Sequence, residues 1–310
     1  MALKKINPSD PLPERNVVMI LYGQPGVYKS SLAQTAADPV TFDFDDGLDR
    51  CVGRKNAYRI DSWRDMDEAM KTDLIGQEGY KTVIIDTVES CMDKYMANFL
   101  IEQDHKNGKA GGALSLAGYG SLKALFNTFL NYVLLKKVDV ILIAHTKEET
   151  GAGDIIKNKP KVTGGTYDII IARADMIGYM ETVNNKSTID FNPTDRYIGK
   201  NTAEFKRLEL PHYTSEAWPT YMGDLIGKVK DAMQRQTSEQ TAALELFAQI
   251  KSDIDLAESP EDFDAIVTLV APMTAVYKEG LRKLMLEKMA EAGVEYDKDS
   301  KSHKLKEKVA

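Results

Sequence analysis

The stretch Val17-Val18-Met19-Ile20-Leu21-Tyr22-Gly23-Gln24-Pro25-Gly26-Val27-Tyr28-Lys29-Ser30-Ser31-Leu32 decides the fold. Its apolar opening, Val17 to Leu21, reads as a buried strand. A Gly-rich turn ending in Lys-Ser follows, and Ser31 to Ala36 reads as a helix. Strand, turn and helix in that order aim backbone N–H groups and a helix N-terminus at a polyphosphate. The residues Gly23, Gln24, Pro25, Gly26, Val27, Tyr28, Lys29, Ser30 and Ser31 would form that cradle. Lys29 is placed to reach the β- and γ-phosphates of a nucleotide, and the Ser30 hydroxyl to ligate Mg²⁺. The usual pattern has Gly immediately before the Lys, and this chain has Tyr28 there.

On either side of this stretch, short β-rich runs alternate with helical patterns from about residue 15 to 210. The strand candidates are Val17–Tyr22, Val40–Phe44, Thr82–Asp86, Val138–Ala144 and Met176–Thr182, with helices predicted over Trp63–Leu74, Thr87–Gln103 and Tyr119–Lys136. Such alternation predicts an α/β fold whose mostly parallel sheet is flanked by helices. Val83-Ile84-Ile85 and Val140-Ile141-Leu142-Ile143 are apolar throughout, as strands buried on both faces should be. A more polar β-like stretch runs from Thr188 to Leu210. Past Pro219 the pattern turns helical, and Ser259-Pro260-Glu261-Asp262 marks one helix start. The expected organisation is an arm over 1–14, a nucleotide-binding core over 15–219, a helical region over 220–296 and a disordered Lys-rich tail over 297–310.

Composition narrows the class. The chain has 310 residues, 43% hydrophobic and 28% charged, which is ordinary for a globular protein. No run approaches the ~18 apolar residues of a membrane span. Met1 to Asp10 lacks the apolar stretch of a secretory signal, so a cytoplasmic location is expected. Two cysteines, Cys51 and Cys91, read as thiols rather than a disulfide, and no Cys/His spacing suggests zinc. A net charge of −7 excludes a broad basic coat, so any nucleic-acid contact must be local.

Three further features carry chemistry. Thr82-Val83-Ile84-Ile85-Asp86 is an apolar strand ending in a carboxylate suited to Mg²⁺, although a helix N-cap role explains Asp86 equally simply. Asp43-Phe44-Asp45-Asp46-Gly47 closes the preceding strand, where one acid could polarise the attacking water, or the group could be an acidic turn. His145 ends the strand Val138–Ala144 and reads either as a γ-phosphate sensor or as an ordinary histidine. In a parallel sheet all three lie at the carboxyl edge beside Gly23. Two Gly-rich stretches, Lys106–Gly112 and Lys147–Thr166, read as mobile loops. The second holds Lys157, Lys159 and Lys161, which would suit a sugar-phosphate backbone.

In this order, the loop, Asp43–Asp49, Ile84–Asp86, His145 and Thr163-Gly164-Gly165 resemble the RecA-type recombinase ATPase core. More closely, Phe42–Gly47, Asp61-Ser62-Trp63, Ala144-His145-Thr146 and Asp195–Asn201 resemble phage-encoded RecA-like annealing or recombination proteins, over about residues 15 to 212. The resemblance implies a RecA-like P-loop core with a small C-terminal helical region. It implies Asp45 as the catalytic carboxylate, Asp86 as the Mg²⁺-associated acid and His145 as the sensor leading into a DNA-binding loop. It also implies that Arg196 and Lys200 complete a neighbouring subunit's ATP site, in a ring or filament on single-stranded DNA. The expected activity is therefore a Mg²⁺-dependent ATPase. The alternatives are an annealing module with nucleotide as a structural ligand, because Tyr28 departs from the pattern, and a hexameric helicase-type motor.

Overall fold

In the computed structural model, residues 15–150, 156–271, 275–297, 300 and 302–306 are described. The expected arm over 1–14 lies outside them. The chain runs β1 (Val18–Gly23), α1 (Lys29–Ala33), β2 (Pro39–Asp43), β3 (Ala57–Arg59), α2 (Trp63–Lys71), α3 (Leu74–Glu78) and β4 (Thr82–Asp86). It continues with α4 (Val88–Ser90), α5 (Ala97–Gln103), α6 (Leu116–Leu135), β5 (Asp139–Thr150), β6 (Ile156–Pro160), α7 (Thr166–Arg173) and β7 (Met176–Val183). Next come β8 (Lys186–Asp190), β9 (Lys200–Asn201), β10 (Leu208–Glu209), α8 (Tyr221–Leu256), α9 (Pro260–Val270), α10 (Ala275–Ala292), β11 (Val294–Asp297) and β12 (Ser302–Leu305).

β1 is buried along its whole length because both its faces are covered. Val18, Ile20 and Tyr22 point into one core with Trp63, Phe126, Phe129 and Val133. Met19 and Leu21 point into the other, with Leu32, Ala33, Met222, Leu225 and Val229. The main sheet has the order β10-β8-β7-β1-β5-β4-β2-β3. β1 pairs parallel with both β5 and β7, and the β5-β4-β2-β3 side is parallel throughout. β8 and β10 extend the other side antiparallel. The loop-bearing strand is thus separated from β4 by β5, and helices cover both faces. This is the α/β fold, a mostly parallel sheet flanked by helices, that the sequence predicts.

The start of β1 is held by carboxylates from its two neighbours. Val17 N donates to Asp139 Oδ1 at 2.8 Å and Val18 N to Asp175 Oδ2 at 2.9 Å. Fixing the strand at that end fixes the position of the loop at the other.

The stretch expected to be a mobile loop, Lys147–Thr166, is different. β5 runs on past the sheet to Thr150 and pairs antiparallel with β6, with Lys147 opposite Lys159 and Glu149 opposite Lys157. Asn158 anchors this hairpin, donating from its backbone to Arg196 O at 2.7 Å and accepting from Ile198 N at 3.1 Å. The charged and polar residues of Lys147-Glu148-Glu149-Thr150 and Lys157-Asn158-Lys159 hid the pair, because neither face is apolar enough to show period 2.

Contacts divide the chain into two compact units, with the change at Met233–Gln234 inside α8. The composition shift at Pro219 marks the onset of helix instead. The next turns of α8 still belong to the first unit, because Met222, Leu225, Ile226 and Val229 are buried in its core. The second unit has its own core of Ile250, Ile254, Phe263, Ile266, Leu281 and Val294. Its α9 begins as expected, with Ser259 and Asp262 forming a reciprocal capping box. The expectation of disorder from 297 onward fails at Ser302–Leu305, which pairs antiparallel with β11. His303 is buried there, with Nδ1 2.6 Å from Asp264 Oδ1. Lysine content was a poor guide because one buried ring and a backbone ladder suffice to order a four-residue strand. Among the described residues no helix is long and apolar enough to cross a membrane.

Candidate functional site

The parallel register brings the loop and the candidate acids to one sheet edge. Gly23 lies beside His145 across β1 and β5, and Asp43 beside Asp86 across β2 and β4. A cleft of about 530 Å³ opens there, lined by residues that include Pro25, Gly26, Tyr28, Lys29, Ser30, Ser31, Asp45, Asp86 and His145. Five of the chemistry-bearing residues read from the sequence, Lys29, Ser30, Asp45, Asp86 and His145, therefore share one cavity.

The loop's backbone explains its residue choices. A Cβ on Gly23 would meet Met180 O at 2.2 Å, so only glycine permits this approach of β1 to β7. Tyr28 is left-handed, at φ 65° and ψ 24°. That conformation is why glycine is usual here, and an L-residue adopts it at a cost of roughly 1–2 kcal/mol. The side chain points outward, 44% exposed.

Lys29 is buried, its Nζ donating to Gly23 O at 3.0 Å and Gln24 O at 2.9 Å. Burial lowers its pKa, while the charges of Asp86, Asp45 and Glu89 act to raise it. The ammonium thus lies against the carbonyls of its own loop. Asp86 is 5% exposed and its pKa is pushed up to about 6, chiefly by burial. The Ser30 hydroxyl bonded to it opposes the rise, the charges of Asp43 and Asp45 add to it, and Lys29 opposes it.

Around Asp45, each acid has a separate task. Asp43 is buried and its Oδ1 accepts from Asp45 N at 3.1 Å and Gly47 N at 3.3 Å, so it builds the turn. Asp45 is only half-buried and its Oδ1 accepts from Ser90 Oγ at 2.7 Å, which aims the carboxylate. Asp46 has positive φ and pairs with Arg59 at 2.8 Å, away from the cleft lining.

Glu89, Ser90 and Arg50 escaped the sequence reading, and Cys51 was read only as a thiol. Arg50 and Cys51 line the cleft. Both cysteines are free, and burial raises the pKa of each. Glu89 connects the cleft to the hairpin. Its Oε1 takes a hydrogen bond from Lys161 Nζ at 2.7 Å, and its Oε2 lies 3.3 Å from His145 Nδ1. Oε2 is otherwise buried and, among the described residues, has no further partner. Burial pushes the Glu89 carboxyl up, but His145 and Lys161 together hold it below its ordinary range. The available signal was an acid in the first helical turn after Asp86, which reads as simple dipole compensation.

The remaining candidates lie elsewhere. Lys157 is exposed on β6, Lys159 pairs with Glu149 and lies over the Tyr167 ring, and Lys161 turns back to Glu89. Arg196 is exposed and does not line the cleft. Lys200 lies toward the opposite sheet edge, with Nζ donating to Ala174 O at 2.5 Å.

Ser30 and Asp86 are hard oxygen donors side by side, with no further protein group needed for an octahedral cation that keeps its waters and takes phosphate oxygens. Among the described residues no cluster of three or more His, Cys, Asp or Glu could itself hold a metal.

Loop, buried acid and parallel topology define a P-loop nucleoside triphosphatase domain. Residues 15–203 match the family described as AAA domain, and the chain belongs to that family. No curated protein matches the sequence. Among solved structures the chain is similar to one titled "Crystal structure of the RadB recombinase", at 13% identity and a TM-score of 0.36. That match covers 59% of this chain and 91% of the other, a likeness too distant to carry an argument.

Proposed function

We propose that the protein is a Mg²⁺-dependent ATPase that acts on single-stranded DNA as a ring or filament, in recombination or annealing. The convergence of Lys29, Ser30, Asp45, Asp86 and His145 in one cleft carries this reading. Phosphoryl transfer needs little covalent chemistry from the protein, only positioning and charge stabilisation. Lys29 would exchange the carbonyls of Gly23 and Gln24 for phosphate oxygens. Asp45, aimed by Ser90, would orient the attacking water. Ser30 and Asp86 would hold Mg²⁺, which neutralises charge on the phosphates when bound. Tyr28 supports a loop able to close, because it supplies the backbone conformation that glycine supplies elsewhere.

The DNA part of the reading rests on the β5–β6 hairpin. Its lysines are tied to the cleft through Lys161, Glu89 and His145. A γ-phosphate touching His145 would disturb that chain of contacts and so move the hairpin. Arg196 is exposed and suits completion of a neighbour's site better than Lys200, whose ammonium is engaged with Ala174. The deciding experiment measures ATP hydrolysis with and without single-stranded DNA for the wild type, Lys29→Ala and Asp45→Asn. Equal rates in all three proteins would remove the enzymatic claim. Hydrolysis indifferent to DNA would remove the second part.

A further inference from the structure

Tyr22 stands on β1 immediately before Gly23 of the phosphate loop, and it is fully buried. Its ring packs beside Tyr179, with centroids 5.3 Å apart, a contact that phenylalanine would make equally well. The hydroxyl has a different set of partners. It donates to Ile198 O at 2.6 Å and accepts from Ile198 N at 2.9 Å, and Asn158 O lies 3.3 Å away. Among the described residues it bonds only to strand β6 and to the stretch 194–198. Both backbone groups of Ile198 meet this one side chain, which serves them as a neighbouring strand would.

The two segments that the hydroxyl touches are joined to each other. Asn158 donates to Arg196 O from its backbone at 2.7 Å and from Nδ2 at 3.3 Å, and Ile198 N donates to Asn158 O at 3.1 Å. Asn158 also pairs in parallel with Tyr197, whose ring stacks on Tyr179 at 4.7 Å. Hairpin and Arg196 stretch thus form one piece, in which Arg196 is held by its carbonyl while its side chain stays exposed. β1 is the fixed reference for that piece. Asp139 and Asp175 clamp its start, and β5 and β7 pair along both its sides.

We propose that Tyr22 is a positioning residue, whose hydroxyl sets the β5–β6 hairpin and the Arg196 stretch as one body against the phosphate loop. The inference rests on the reading of the hairpin as a DNA contact and adds the residue through which that contact reaches the nucleotide. Gly23, next in the chain, carries the carbonyl that holds Lys29 Nζ at 3.0 Å. A displaced hairpin must therefore break the Ile198 bonds or pull on the end of β1 that bears the cradle. This route is separate from the one through Lys161, Glu89 and His145, which starts beyond β6. A hydroxyl that merely satisfied loop backbone would matter for stability alone. One that positions this body governs the response of hydrolysis to DNA.

The test removes the hydroxyl and keeps the ring. ATP hydrolysis with Mg²⁺ is measured on the full chain, with and without single-stranded DNA, for the wild type, Tyr22→Phe and Tyr179→Phe. Tyr179 is the control, a ring of the same cluster whose hydroxyl has no hydrogen bond to either segment among the described residues. Coupling between sites is typically worth about 5–150-fold, so stimulation by DNA should fall about five-fold or more in Tyr22→Phe, with the rate in its absence unchanged. Tyr179→Phe should keep wild-type stimulation. Stimulation kept in Tyr22→Phe would overturn the inference alone, as would an equal loss in Tyr179→Phe or an equal fall of both rates in Tyr22→Phe. A wild type that hydrolyses ATP without responding to DNA would instead overturn the DNA reading, and this inference with it. Should Tyr22→Phe fail to fold, hydrogen exchange on the wild type decides. Single-stranded DNA should then change the protection of the Asn158 and Ile198 amides together, and a change at one without the other refutes the single body.

Discussion

Replacing Asp86 by Asn should make the nucleotide-free protein more stable while removing its activity. The carboxyl is almost fully buried, and its pKa rises on folding from the ordinary 3.8 to about 6. At 1.36 kcal/mol per pH unit this corresponds to at most about 3 kcal/mol of destabilisation at neutral pH. A carboxyl with a raised folded pKa binds more protons folded than unfolded between about pH 4 and 6. Stability therefore falls as pH rises through that window, and the deficit is complete above it. Asn carries no charge to desolvate and still offers Ser30 an acceptor. Weakening that charge-assisted bond costs about 1 kcal/mol, leaving a net gain of about 2 kcal/mol. For a unit of this size that raises Tm by roughly 4–8 °C. The assay is thermal unfolding without nucleotide or Mg²⁺, at pH 7.5 and at pH 4. The gap between Asp86→Asn and wild type should be large at the first and close at the second. An Asn variant no more stable than wild type at pH 7.5, or a gap independent of pH, would refute the reasoning that burying the Asp86 charge destabilises the fold.

Other outcomes follow from the same geometry. Gly23→Ala should lower stability in urea by about 3 kcal/mol or more, because the added methyl meets the Met180 carbonyl in a paired strand. Tyr28→Gly should match or exceed wild-type stability by about 1 kcal/mol, whereas Tyr28→Val should lose about that much, since a β-branched side chain tolerates positive φ poorly. Phe263→Ala, in the core of the second unit, should cost about 3–5 kcal/mol, seen as an early unfolding transition if that unit melts independently. If the hairpin holds single-stranded DNA, the double change Lys157→Ala and Lys159→Ala should weaken binding at every sequence. The slope of log affinity against log salt should then fall by about 1.4, and an unchanged slope would place the DNA elsewhere.

The main strands were legible because strands buried on both faces are apolar runs of three or more residues, as at Val83–Ile85 and Val140–Ile143. β3, three residues at the sheet edge and partly exposed, carried no such signal. Nor did β6, whose residues read Ile-Lys-Asn-Lys-Pro. Lys29, Ser30, Asp45, Asp86 and His145 were found because each follows directly from the end of a strand that could be read. Glu89 and Ser90 were not, since their importance lies in contacts with Lys161, His145 and Asp45, 45 to 72 residues away.

By itself the sequence determined that a P-loop turn sits at one edge of a parallel sheet, because hydrophobic runs and the Gly-rich turn ending in Tyr28-Lys29-Ser30 are local properties of the chain. It could not say how Tyr28 would be accommodated, because a left-handed backbone angle and the open space beside it leave no trace in neighbouring residue types. The tertiary structure decided that, and it set Tyr28 opposite Tyr213, which lies 185 residues further on. Side-chain pairing over such separations is fixed by how strands and helices pack, a property of the folded chain as a whole.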